Sequence, residues 1–555
     1  MKKLFLLFLI ISLSVQLWGV SAKPGSGHTH DGSIRPGMTG NSYSPSLSSD
    51  GGVRRASALS KASVSTTGSK KILVILAPFK DYGFNETIPG TSDSGAVSAS
   101  THDETYYKKL LETGSGLTMK KYYDQQSRGA LDLSFKVIKS GVKSIESYEY
   151  YGQNDVYDDD THPAVLVREM MVNVITESVA AEVDNCVVIV VHAGPGEEEG
   201  GVSENLIWSH RSTLTSQSIS SFTIGGKTFN DYLIVPEYNM WHGVYEATVG
   251  VFCHEFGHVL GLPDLYDTSY KTAGVGMWSL MGGGEWGTMG AAGVSPGTDP
   301  APFMNWERAY LGWITETDIT PASGKSVSYD FEEANDSDTV YRINLSDDQY
   351  LTLEGKKKNK SGSGMLVEET GLLITQIHKG ILNNYWSTNT VNYGTYRPHG
   401  AMVVEAVASN YKSNGLGNLW RGSSSTLRTT TTALFRSGTL TSVGPVASSS
   451  SADLPFLPLF TSTMIGSGIV ICILGLWYAG RKKLCAVIAI GAFAACFSLS
   501  CSIFSGGSGT YDSGPNTNYY TTMNNVHSKT GISGITIYNI QVDEDGSGSF
   551  RVKKD

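Results

Sequence analysis

His254-Glu255-Phe256-Gly257-His258-Val259-Leu260-Gly261-Leu262-Pro263-Asp264 is the segment whose residue types and spacing carry chemistry. Histidines four apart share one face of a helix, so both imidazoles can hold one Zn²⁺. Glu255, beside them, can reach a water on that metal and act as its base. Gly261 suits the left-handed turn that ends a helix. The chain then turns so that Asp264 can supply a third ligand. In a chain with 12 His, 52 acidic residues and 63 Gly among 555, His-acid-x-x-His is expected in roughly one shuffled sequence in 40. Requiring the Gly and the final acid lowers that to about one in 4,000, so the longer pattern carries the weight.

Such a constellation needs a scaffold, and the flanking sequence supplies one. KILVILAPF (71–79) and NCVVIVVHAGPG (185–196) read as buried strands. LTMKKYYDQQSRG (117–129) has helical spacing with a Gly stop, and ALDLSFKV after it alternates as a strand. Strands alternating with helices indicate an α/β first domain, taken as 71–315. Beyond about Thr315 short alternating strands follow, among them SVSYDFEE, YLTLEG, GLLITQIHK and GAMVVEAVA. These predict a β-rich, sandwich-like domain at 316–453.

The spacing is that of the metzincins with Asp in the last place. Within that class the sequence resembles the immune inhibitor A peptidases, secreted zinc metallopeptidases. The residues that carry the likeness are HEFGHVLGLPDLYD (254–267), WSLM (278–281), APFMNWERAYLGWI (301–314), KKYYDQQSRGALDL, and VVHAGPGEEEGG with IWSHR. LTLEGKKK, GLLITQIHKG and GAMVVEAVA extend it to about residue 410, and GISGITIYNIQVDEDGSGSFRV (531–552) looks like that family's last β-strands. The resemblance implies Zn²⁺ held by His254, His258 and Asp264, with Glu255 as catalytic acid/base acting on protein or peptide substrates. It also implies a Met-turn, an apolar floor under the metal, for which Met281 before the glycines is preferred to Met277. Tyr266 is a candidate oxyanion donor, though packing is the simpler role, and Asp267 is expected to brace the ligand loop. Family members often carry structural Ca²⁺. Glu197, Glu198 and Glu199 are acidic candidates for it, but a solvated loop is the plainer reading.

Export and membrane contact are the remaining expectations. Met1-Lys2-Lys3, an apolar run and Val20-Ser21-Ala22 form a signal peptide (1–22), and a Gly/Ser/Thr-rich propeptide or linker follows at 23–70. That linker has no Cys, which excludes a thiolate latency switch; His28-Thr29-His30-Asp31 reads as linker rather than as a zinc cap. Two uncharged apolar runs, near 460–480 and 484–504, flank Arg481-Lys482-Lys483. Each is long enough to span a bilayer, and the basic turn belongs on the cytoplasmic side. A transmembrane hairpin at 454–504 is therefore expected, entering from outside and returning there. Residues 505–555 would then be extracytoplasmic strands that complete the β-rich domain. Cys472, Cys485, Cys496 and Cys501 fall in or beside the hairpin, and Cys186 and Cys253 in apolar runs; most read as buried free thiols. Cys501 has only a faint likeness to a lipid-attachment site.

Charged residues make up 17% of the chain against about 25% in ordinary soluble proteins. Removing the uncharged stretches 4–22, 454–480 and 484–511 raises this only to about 19.5%, so a Ser/Thr/Gly-rich surface accounts for the rest. Net charge −10 without a basic block argues against a nucleic-acid partner. The combined expectation is an α/β metzincin-like catalytic domain, a β-rich domain and an inserted hairpin: a membrane-tethered zinc endopeptidase at the cell surface, or secreted if cut before residue 454. The alternative is a surface adhesion module with a degenerate peptidase domain; against it, every residue needed for hydrolysis is present.

Overall fold

The computed structural model describes residues 64–86, 101–155, 159–184, 187–199, 205–238, 248–268, 274–287, 296–357, 370–393, 399–404, 434–435, 443–445, 520–522 and 535–554. Strands β1 (Gly68–Ala77), β2 (Leu131–Lys139) and β3 (Val187–Pro195) are followed by β4 (His210–Thr213), a hairpin of β5 (Phe222–Ile224) and β6 (Lys227–Phe229), and β7 (Asp231–Tyr238). They form a sheet in the order β2-β1-β3-β7-β4. β2, β1, β3 and β7 are mutually parallel, and β4 is an antiparallel edge. β3 and β7 are buried at every position, which is why they read as unbroken apolar runs. Helices Met119–Gln126, Pro163–Val174 and Val249–Val259 accompany the sheet. The first strand begins at Gly68, where a positive φ of 82° and a bond from its N–H to Ala130 O start the pairing with β2.

Past Ile314 the chain is β-rich: β8 (Thr315–Asp318), β9 (Ser326–Phe331), β10 (Thr339–Asn344), β11 (Gln349–Lys356), β12 (Gly371–His378), β13 (Ala401–Val403), β14 (Val443–Pro445), β15 (Tyr520–Thr522), β16 (Ile535–Val542) and β17 (Gly548–Lys554). They make two five-stranded sheets, β13-β12-β11-β10-β8 and β15-β14-β16-β17-β9. Strand alternation assigns the faces of the first of these. Leu351, Leu353, Leu372, Ile374, Met402 and Val404 pack with Ile535, Ile537, Phe550 and Val552 of the other sheet. Tyr350, Leu373, Ile377, Ala401 and Val403 join the core of the α/β domain. The β11–β13 layer is thus buried on both sides, and the change of pattern at Thr315 does not mark an end of the core.

Among the described residues no helix is long and apolar enough to cross a membrane. The expected signal peptide and the hairpin at 454–504, with its four cysteines, lie outside the described residues, as does Cys186. Cys253 is a buried free thiol, its pKa pushed up by burial.

Candidate metal centre

The helix Val249–Val259 carries the two histidines on its buried length, and it stops where the sequence requires. Gly261 has φ +96°, Gly261 N–H donates to His258 O and Leu262 N–H to Gly257 O. That pair of bonds is a Schellman cap, which releases the chain toward Asp264. His254, His258 and Asp264 each offer a ligand atom within 4.8 Å of the others. Asp264 Oδ1 lies 3.1 Å from His254 Nε2 and 3.2 Å from His258 Nε2. The Nδ1 atoms are held from behind, His254 by Leu280 O at 2.9 Å and His258 by Leu262 O at 2.8 Å. A carbonyl acceptor at Nδ1 fixes the proton there and leaves Nε2 as the lone-pair donor, the usual second layer of a metal-binding imidazole.

The electrostatics match a cation. Burial pushes the Asp264 carboxyl up, but His258 and His254 outweigh it and hold it well below the usual carboxylate range. Burial pulls His254 down, yet Glu285 and Asp264 carry it well above the ordinary imidazole range. Asp264 Oδ1, His258 Nε2 and Glu255 Oε2 are buried without hydrogen-bond partners. Three orphaned buried polar atoms would cost several kcal/mol between them. A bound metal and its water satisfy all three, so the donor set fits the group. The two imidazoles and one carboxylate are the set of a catalytic zinc that keeps an open position.

Around this core, Met281 is fully buried, and its Sδ would lie 2.5 Å from a Cβ placed on Gly257, between the two histidines. Only Gly allows the helix and Met281 to approach so closely, whereas Met277 Sδ lies against Gly283. Tyr266 is half-buried, its ring centroid 6.3 Å from that of His254 at 28°. Asp267 is buried in the ligand loop.

Glu198 corrects the expectation of a solvated loop at 197–199. It is buried, with its carboxylate taking the Ser209 N–H at 3.2 Å and the Ser209 hydroxyl. Burial raises its pKa to about 7, with Glu255 adding to the rise. The GPGEEE and IWSHR blocks are therefore two halves of one contact beside the helix that carries His254 and His258. Glu285, also not singled out from the sequence, lies 3.5 Å from His254 Nδ1, with a pKa raised by burial to about 8. The tyrosine-rich helix braces the site: Tyr123 OH donates to Cys253 O at 2.6 Å and Tyr122 OH to Ala301 O at 2.7 Å. Ser279 Oγ takes the Met281 N–H at 2.9 Å and donates to Glu307 at 2.7 Å, which ties the Met281 turn to the helix Asn305–Tyr310.

Residues 180–314 match the family model described as immune inhibitor A peptidase M6, catalytic domain. That model describes a class of peptidases. Over these residues the chain is similar to the catalytic domain of the immune inhibitor A family. Among its relatives, the pre-pro-metalloprotease PrtV of Vibrio cholerae serotype O1 is 28% identical over 284 residues, 43% of this chain and 29% of that protein. Immune inhibitor A of Bacillus thuringiensis subsp. alesti is 27% identical over 375 residues, 56% of this chain and 48% of that protein. The chain spans less than half the length of these curated relatives.

Proposed function

We propose that this protein is an exported zinc endopeptidase of metzincin type, with His254, His258 and Asp264 as ligands and Glu255 as general base and acid. The observation that carries this is the convergence of ligand atoms of His254, His258 and Asp264 within 4.8 Å of one another, with Glu255 Oε2 also buried and unpartnered on the same helix. When bound, zinc supplies Lewis acidity, lowering the pKa of a water toward about 7 and polarising the scissile carbonyl. Glu255 takes a proton from the attacking water as its oxygen bonds to the carbonyl carbon. It returns that proton to the nitrogen as the C–N bond breaks. Burial raises the Glu255 pKa against the lowering pull of His258 and His254, and brings the base nearer to neutral pH. The N–H of Arg211, on edge strand β4, bonds to the same carboxylate and orients it. Met281 serves as the floor and Asp267 as a loop brace, while Tyr266, with its ring beside that of His254, packs against the site and is its candidate oxyanion donor.

Zymography of the full chain on a denatured protein, with and without o-phenanthroline, tests the activity. Clearing that the chelator abolishes, and that added Zn²⁺ restores, is expected. Absence of chelator-sensitive clearing would leave the adhesion-module reading in its place. Structural Ca²⁺, as in the family the sequence resembles, would support the fold, and its removal should lower the thermal unfolding midpoint while the zinc content stays unchanged.

Export follows from the signal peptide, and the hairpin at 454–504 tethers the enzyme to the membrane with its catalytic domain outside. In support, β14, ahead of the apolar region, pairs with β15 beyond it, Val443 opposite Thr522 and Pro445 opposite Tyr520. Both ends of the region must then lie on the same side, as an out-in-out hairpin requires. Reporter fusions after Ser450 and after Asp555 should both be active outside. A cytoplasmic carboxyl terminus would refute the hairpin.

A further inference from the structure

The third ligand differs from the other two in what holds it. His254 and His258 are fixed by carbonyls of their own domain, Leu280 and Leu262. Asp264 is gripped by Asn389, which lies beyond β12 in the β-rich part of the chain. Asn389 Nδ2 donates to Asp264 Oδ2 at 2.5 Å, while Asn389 Oδ1 accepts the Asp264 backbone N–H at 2.7 Å. One carboxamide thus fixes both the main chain and the side chain of the ligand residue. With Oδ2 engaged from behind, Oδ1 is the oxygen left to face the two Nε2 atoms.

Asn389 is itself held in place. It is buried, sits in the left-handed region at φ +53°, and donates its N–H to Trp386 O at 3.0 Å. Asn is among the few side chains that take this conformation readily, so position 389 joins a backbone requirement to a donor–acceptor requirement. Its neighbours grip the same loop on either side. Trp386 Nε1 donates to Gly261 O at 2.9 Å, and Asn392 Nδ2 to Leu265 O at 2.7 Å. The Asn392 carbonyl in turn accepts the N–H of Ala401 on β13.

We infer that Asn389 is a positioning residue for the metal, and that the β-rich domain completes the site by presenting it. This rests on Asp264 being a metal ligand. The alternative is that the turn 386–392 merely packs the two domains together; it predicts lost stability with unchanged metal binding.

Asn389→Gly removes the carboxamide and keeps the left-handed backbone free of strain. Ser387→Gly, at an exposed neighbour, adds the same backbone freedom without touching Asp264. Zn²⁺ dissociation constants of the purified full chain, from competition with a chromogenic chelator, should rise about 10–100-fold in Asn389→Gly and stay at the wild-type value in Ser387→Gly. The visible d–d bands of the Co²⁺-substituted protein should change with them. Asn389→Asp can still accept the Asp264 N–H but sets a carboxylate against Oδ2. It should weaken Zn²⁺ by a similar factor, and it decides the matter if the Gly variant does not fold. Wild-type Zn²⁺ affinity and Co²⁺ spectrum in the folded variants would overturn the inference while leaving the metal site standing. Failure of the wild-type chain to bind Zn²⁺ at these residues would overturn both.

Discussion

Glu255→Gln is expected to keep one zinc per chain and to cut hydrolysis of a denatured protein by about 10²–10⁴-fold. Glutamine preserves the volume and an acceptor for the Arg211 N–H, so the side chain should stay in place. It cannot take a proton from water, and it cannot hand one to the departing amine. The ligands should be unaffected, because none is held through Glu255. His254 is oriented by Leu280 O, His258 by Leu262 O and Asp264 by Asn389. Metal analysis beside a rate measurement on the same preparation separates the outcomes. Wild-type turnover with metal in place would sink the role of Glu255 as base. Loss of metal would instead mean that the residue helps to build the site.

The helix Val249–Val259 and the three ligand candidates were legible because their chemistry is local. Four residues of helical spacing, one Gly at a left-handed position and an acid three places on all lie within eleven residues. β3 and β7 were legible for a different reason: a parallel strand covered on both faces has no polar alternation to hide it. Glu198 was misread because three consecutive glutamates look like a solvated run. Its burial depends on Ser209, eleven residues later, and on the close approach of Gly196, where an added Cβ would lie 2.4 Å from the Glu198 carboxylate. Asn389 left no local trace. An Asn in a polar stretch such as WSTNTVN reads as a turn, and its partner lies 125 residues away. The double burial of β11 and β12 was equally hidden, since alternating apolar residues show that a strand has a covered face but not that polar Thr375 and Gln376 lie inside too.

Arg308→Ala should be strongly destabilising, by about 3–5 kcal/mol, since it strands buried acceptors and opens a cavity. The guanidinium is almost wholly buried. Nε donates to Gln126 O at 2.9 Å, and Nη1 to Asn305 Oδ1 at 2.9 Å and to Ala334 O at 2.7 Å. Gln126 ends the tyrosine-rich helix, so its carbonyl is one of the helix-end acceptors with no partner of its own. Ala334 lies beyond β9, so the one side chain joins three segments from both sides of Thr315. Truncation strands those acceptors at about 1–3 kcal/mol each and leaves a cavity, with entering water recovering part of the loss. For a unit of this size the midpoint of thermal unfolding should fall by roughly 10 °C. Arg308→Lys should fall between, because an ammonium is a point donor and cannot span acceptors placed for a planar fork. Arg308→Met separates the causes: it refills the space without a donor, so a return to wild-type stability would assign the effect to packing alone. An alanine variant that melts within 2 °C of wild type would show that the network contributes no net stability. Because Gln126 also accepts the Phe303 N–H, and Tyr123 of the same helix holds Cys253 O, the alanine variant should loosen the metal-bearing helix as well. Faster zinc release on mild warming, measured beside the melting curve, is the expected companion result.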